Sequence, residues 1–251
     1  MRKLIIEKAA VRANMAVIKE RARGAALYGV LTGDGGGAGL TELARLIRDE
    51  GISRFAVGTV EEAQALREAG FEDEELLMLR ATVDREELER LVDLNVVCTI
   101  SSVDTGLALN AVAENRSTVA EAHIQVDTGM GFGGFLVGEP EKILLAYRSL
   151  PNVALSGIYT QLHAVSPKGP EVGAQLRQFR QVLDAIHAAG FETGTVHAAG
   201  SYALTRPGWT RCGPAPSCWA GAAGARGTGC APWASERPLW PRSAGCPRGT
   251  P

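Results

Sequence analysis

The sequence predicts an α/β protein: a (β/α)8 TIM-type barrel, incomplete at its C-terminal end and followed by an irregular tail. Three observations predict it. Over about the first 205 of 251 residues, short apolar runs alternate with amphipathic stretches long enough for helices, the signature of parallel βα units. Some runs are continuous rather than alternating, NVVCTI at 95–100 being the plainest, as expected of strands covered on both faces. Near Arg206 the pattern stops and the composition changes.

Taken in order, a helix over 8–22 leads to a first strand at 27–31 and a helix over 40–49, with Gly51 just past its last turn. A strand at 54–57 precedes a helix over 60–69 that stops at Gly70. The strand at 76–79 precedes a helix over 85–94, which Asp84 can cap. The strand at 96–100 precedes a helix over 103–113, with Ser102 in the capping position. The strand at 122–126 precedes a helix over 140–150. A strand at 154–159 then leads to a helix over 172–189, closed by Gly190, and a strand at 195–197 ends the series. Seven strands are one short of a barrel, and the break comes where the eighth should begin. An open barrel leaves two unpaired edges. A doubly wound open sheet is the rival fold; the count and the regular spacing favour the barrel.

The bulk composition excludes some partners. With 45% hydrophobic and 22% charged residues the chain can fill a sizeable core, and its net charge is −2. Binding nucleic acid or an anionic membrane wants a basic face, so neither is expected. No apolar run approaches the roughly 20 residues of a membrane span, and the start lacks a signal-peptide core, so a cytoplasmic setting is expected.

Residues 206–251 form a Gly/Pro/Trp/Cys-rich tail. From Pro207 onward there are eight Pro, eight Gly and all four Trp, with no Val, Ile, Phe, Tyr, Lys or His. Pro and Gly at this level mark segments that do not pack, and neither helical nor strand periodicity survives. Two readings stand: a disordered linker or tail, and GC-rich coding DNA translated out of frame. Cys212, Cys218, Cys230 and Cys246 also fall here, without a C-x-x-C pair or a histidine, so no metal is expected. Cys98, in an apolar run, reads as a small core residue.

In a barrel the chemistry sits in loops after the strands. The first is LTGDGGGAGL, whose glycines could bring backbone amides to an anion but which lacks the G-K-[ST] of a nucleotide loop. A flexible strand-to-helix turn is its plainer reading. After the fifth strand comes VDTGMGFGGF, where Asp127 could be a catalytic acid or could cap its own turn, the structural role being favoured. The sixth ends in YTQLHAVSPKG with His163. The seventh ends in VHAAGSYAL, with His197 and Ser201 beside small residues suited to a phosphate. His123, inside a strand, and His187, inside a helix, read as structural.

The runs GISRFAVGTVEEAQALREAGF, IQVDTGMG, GIYTQLHA and ETGTVHAAGS, in this order, resemble the alanine racemase family. The resemblance covers about residues 1–205. It implies a barrel carrying pyridoxal phosphate, a following β-rich domain, a dimer, and interconversion of L- and D-alanine. The cofactor acts as an electron sink that makes the Cα proton acidic. The family's lysine holds it and serves as one acid/base group, and a tyrosine of the second domain serves the other face. The family's first loop runs roughly G-V-x-K-x-D-x-Y-G-x-G. Here Asp34, Gly37 and Gly39 match, Thr32 stands at the lysine and Gly36 at the tyrosine. A threonine hydroxyl cannot form an imine. Phe132 stands at an arginine, Gln161 at a histidine and Gly200 at the asparagine of H-x-A-N-S. The resemblance therefore leaves no catalytic group intact and assigns cofactor binding to Asp34, His197, Gly200 and Ser201. Of five lysines, only Lys168 lies in a loop near the expected site. The sequence thus reads as an alanine racemase homologue without activity, a small amino acid being its implied ligand. The alternatives are a non-catalytic barrel that binds a phosphate or a small amino acid, and a decayed gene product.

Overall fold

A computed structural model of the chain describes residues 4–22, 24–162, 170–198, 216–221 and 234–236. Its centre is a parallel sheet of β2 (Leu27–Val30), β3 (Arg54–Val57), β4 (Glu75–Met78), β5 (Cys98–Ile100), β6 (Ala120–Asp127), β8 (Val153–Thr160), β9 (Thr195–His197) and β10 (Pro216–Gly221). The order is β4-β3-β2-β10-β9-β8-β6-β5. A parallel bridge between Leu77 and Val97 joins the two ends, with Met78 N donating to Val97 O at 2.9 Å and Val97 N to Leu76 O at 2.8 Å. The sheet therefore closes on itself as an eight-stranded barrel.

The expected strands and helices are all present, with ends shifted by one or two residues in most cases. The helices are α1 (Lys8–Ala22), α3 (Leu40–Arg48), α4 (Val60–Glu68), α5 (Arg85–Asp93), α6 (Val103–Asn115), α7 (Pro140–Ser149) and α8 (Pro170–Ala188). Their boundaries follow local chemistry. Asp84 accepts from Glu87 N at 2.8 Å, and Ser102 forms a reciprocal capping box with Thr105. Gly51, Gly70 and Gly190 adopt left-handed φ values of 83°, 86° and 84° just past α3, α4 and α8.

Three features go beyond the sequence reading. First, that reading counts seven strands and ends the barrel near residue 205, whereas β10 lies parallel between β2 and β9, Cys218 in register with Leu27 and Ser217 with His197. Strand pairing is a backbone interaction, so two open edges accept a segment of poor strand composition, and Pro216 sits at the first position, where proline is tolerated. Second, β1 (Leu4–Ile6) pairs antiparallel with β11 (Ala234–Glu236), and β7 (Phe135–Leu136) pairs with the end of β6. Third, α2 (Thr32–Gly37) is a turn of the opposite hand: Gly33, Asp34, Gly35 and Gly36 have φ between 55° and 68° and ψ between 28° and 50°.

Two buried clusters result from the strand alternation. The larger lies between strands and helices and includes Phe55, Leu76, Cys98, Ile124, Ile158 and Phe179; Cys98 is the core residue expected. The smaller packs Tyr28, Ala56, Leu77 and Val97 together, residues alternate to those of the outer core. No helix among the described residues is long and apolar enough to cross a membrane.

Candidate functional site

The ends of β2, β3, β6, β8 and β9 bring the candidate residues to one end of the barrel. Leu31, just past β2, is fully buried, and Thr32 follows half-buried. The Thr32 methyl lies against Gly58, where a Cβ would come within 3.2 Å of Thr32 Cγ2. The first amides of the glycine-rich loop, a candidate anion site, are already engaged, Gly35 N donating to Leu31 O at 2.8 Å. Glu62 of α4 accepts from Gly33 N at 2.7 Å and Asp34 N at 3.2 Å through Oε1, and from Gly58 N at 2.8 Å through Oε2. Glu62 in turn is fixed at the start of α4, where Thr59 Oγ1 accepts from its amide. Thus the protein supplies its own anion to this loop. Asp34 Oδ1 accepts from Leu40 N at 2.8 Å, so this carboxylate caps the entry to α3. Gly36 is exposed.

At the end of β6, Asp127 Oδ1 accepts from Gly129 N at 2.9 Å and Gly131 N at 3.0 Å. The favoured structural role of Asp127 is what the geometry gives. Next to it Thr128 and Thr160 share a hydrogen bond of 2.8 Å, and Gln175 of α8 donates to Thr128 Oγ1 at 3.2 Å and to Gln161 O at 3.5 Å. The Phe132 side chain is 72% exposed, while its carbonyl receives Gln125 Nε2 at 3.4 Å.

His197 lies inside the barrel, and His123 lies with it. His123 Nδ1 and His197 Nε2 are 2.9 Å apart, a hydrogen bond in which either ring donates according to its tautomer. The His197 ring is stacked against Tyr28 at 5.1 Å and against Tyr159 at 4.8 Å. Tyr159 Oη meets Thr99 Oγ1 at 3.0 Å, and Tyr28 Oη donates to Glu75, which also pairs with Arg54. Burial, with Arg54 adding to it, lowers the His123 pKa to about 4. Burial, then His123 and Arg54, hold His197 well below the ordinary histidine range. Burial and the bond to Glu75 push Tyr28 up, and burial pushes Tyr159 up. Sequence reasoning read His123 as structural and His197 as a ligand contact, and it missed their pairing along with Glu62. The available signal was the alternation Glu121, His123, Gln125, Asp127, which puts polar residues on one face of β6.

Gly200, Ser201, His163 and Lys168 lie outside the described residues. Among the described lysines, Lys8 and Lys19 belong to α1, and Lys142 in α7 is paired with Glu139 at 2.8 Å. No group of three or more His, Cys, Asp or Glu that could hold a metal is gathered among the described residues.

Comparison with known proteins bears on these features. A family profile described as "Alanine racemase, N-terminal domain" matches residues 6–215. The alanine racemase of Carboxydothermus hydrogenoformans is 33% identical over 218 residues, covering 82% of this chain and 58% of its own. That of Clostridium novyi is 29% identical, covering 76% of this chain and 49% of its own. The chain thus spans about half the length of the curated relatives it matches. Among solved structures, alanine racemase from Corynebacterium glutamicum superposes with a TM-score of 0.80 at 24% identity, covering 94% of this chain and 68% of that one. The Bartonella henselae enzyme with covalently bound pyridoxal phosphate superposes with a TM-score of 0.77 at 19% identity, covering 88% and 62%. At these identities the structural matches speak for the fold alone, the TIM-type barrel.

Proposed function

Because this chain belongs to the alanine racemase N-terminal domain family, we propose that it is a racemase-type barrel that no longer racemises. The observation that carries the proposal is Thr32, the residue that emerges from the first barrel strand. In this reading it stands where the family holds its lysine. A primary hydroxyl or secondary hydroxyl is no substitute for an amine, either as a carbonyl-trapping group or as a base near neutral pH. No described lysine replaces it, since Lys8, Lys19 and Lys142 lie on helices.

The described residues at this end of the barrel do not fit pyridoxal phosphate. The amides of Gly33 and Asp34, at the start of the loop, are held by Glu62, that of Gly35 by the Leu31 carbonyl, and Asp34 and Asp127 are committed to their own turns. Gly200 and Ser201, which the resemblance assigns to cofactor binding, complete the reading from the sequence only. The same Glu62 contacts speak against the alternative in which the glycine-rich loop holds a free phosphate. A small amino acid as ligand, a homodimer and a cytoplasmic setting belong to the family reading and are proposed with it.

The test is an absorbance titration of the full chain with pyridoxal phosphate, followed by borohydride reduction, mass analysis and an assay of D/L-alanine exchange. No reducible adduct at a single lysine and no exchange are expected. An adduct on Lys168 accompanied by exchange would overturn the proposal and make a relocated lysine the working group.

A further inference from the structure

The barrel interior carries a titratable pair that the function above does not use. His123 and His197 come from β6 and β9, which are not neighbours; β8 runs between them. Their hydrogen bond of 2.9 Å therefore reaches across an intervening strand. Gly157 of β8 makes the reach feasible, because a Cβ there would lie 2.5 Å from His123 Nε2. The rings are 2% and 1% exposed, and Tyr28 and Tyr159 stack on His197 from two further strands. Five strands thus meet at one hydrogen bond through β2, β6, β8 and β9 and the Thr99 contact of β5.

We propose that the His123–His197 pair is an acid-sensitive clasp of the barrel, closed while both rings are neutral and opened by proton uptake. One proton, added to a nitrogen outside the shared bond, leaves that bond in place but puts a cation in a dry interior. A second proton turns both facing nitrogens into donors, and the bond cannot form. The surroundings decide the cost. Arg54 of β3 is the cation nearest in effect on both rings; Glu75 of β4 is already shared between Arg54 and the Tyr28 hydroxyl, and Glu121 of β6 acts on Tyr28. Tyr159 is held neutral by burial.

The sign of the pH effect follows. An unfolded histidine takes its proton near pH 6.5, whereas folded His123 does so near pH 4 and folded His197 only well below the ordinary range. Stability is therefore complete above about pH 6.5 and falls as the pH drops toward 4.

The experiment is urea unfolding of the full chain at intervals between pH 7.5 and 5, with His123→Asn and His197→Gln, which keep a polar atom at the bonded Nδ1 and Nε2 positions. In the wild type the unfolding constant should rise by up to about tenfold per pH unit for each of the two histidines below pH 6. Each single variant should lose about half of that slope. Slopes equal to that of the wild type would sink the proposal. A second reading covers variants that fail to fold: histidine-selective NMR of the wild type. The sequence has four histidines; two should stay neutral down to pH 5 while the protein is folded, and ordinary titration of all four would overturn the clasp.

Discussion

At the scale of single residues, placement decides chemistry more than residue type does. Glu62 has the same side chain as the surface glutamates of α5, yet it gathers three backbone amides from two loops. Hydrogen bonds to an ionised group are worth about 1.5–3 kcal/mol against about 1 for neutral ones. Glu62→Gln, which keeps one acceptor oxygen, is expected to destabilise the fold by about 1 kcal/mol, and Glu62→Ala by about 2–3. Chemical denaturation of both variants checks this, and equal stability of all three proteins would show the loop holding itself. Glu62 was legible in the sequence only as part of a helix. Its role depends on a contact between the first turn of α4 and a loop residue 29 positions earlier, which no local pattern encodes.

At the scale of elements, Arg67 joins pieces that the strand ladders do not. Its guanidinium donates to Leu94 O at 2.9 Å, Asn95 O at 2.9 Å and Glu74 O at 2.9 Å, and to Phe71 O. It thereby fastens the end of α4 to the end of α5, at helix termini whose carbonyls lack helical partners. Lysine cannot reproduce this fork, being a point donor on a flexible stem. Arg67→Lys should therefore lower stability by about 1–2 kcal/mol and Arg67→Ala by about 2–3, read as shifts in urea midpoint without loss of helical signal. By contrast the exposed pair Arg90–Glu61 should contribute little. Elements were the most legible level. Helix spans, caps at Asp84 and Ser102, and stops at Gly51, Gly70 and Gly190 all depend on residues within a few positions of one another. The short β1, β7 and β11 were not legible, because strands of two or three residues leave too brief a pattern and exist through their partners.

At the scale of the whole molecule, closure of the barrel rests on β10. Its backbone joins β2 and β9, and its composition gave no sign of a strand. A proline placed in mid-strand removes a ladder bond and is confined to edges in ordinary sheets. Ala220→Pro, which removes a backbone donor from this strand, is therefore expected to cost about 1–3 kcal/mol and lower the thermal midpoint, whereas Ala244→Pro, outside the described residues, serves as the reference change. Calorimetry of the two variants decides it: equal midpoints would mean that β10 does not support the barrel. The site was legible only in part for the same reason. The sequence marked Thr32 and His197 through local motifs, but the partner of His197 lies 74 positions away and becomes apparent only when the sheet is closed.

The turn at α2 leads to one last consequence. Four successive residues there take the hand that L-amino acids avoid, and three of them are glycine, the one residue with no stereocentre. At Gly33, D-alanine introduced by chemical synthesis should favour the native loop by limiting the unfolded chain, while L-alanine at the same position should cost about 1–2 kcal/mol. This short stretch of the protein would then prefer the enantiomer that the rest of its chain excludes.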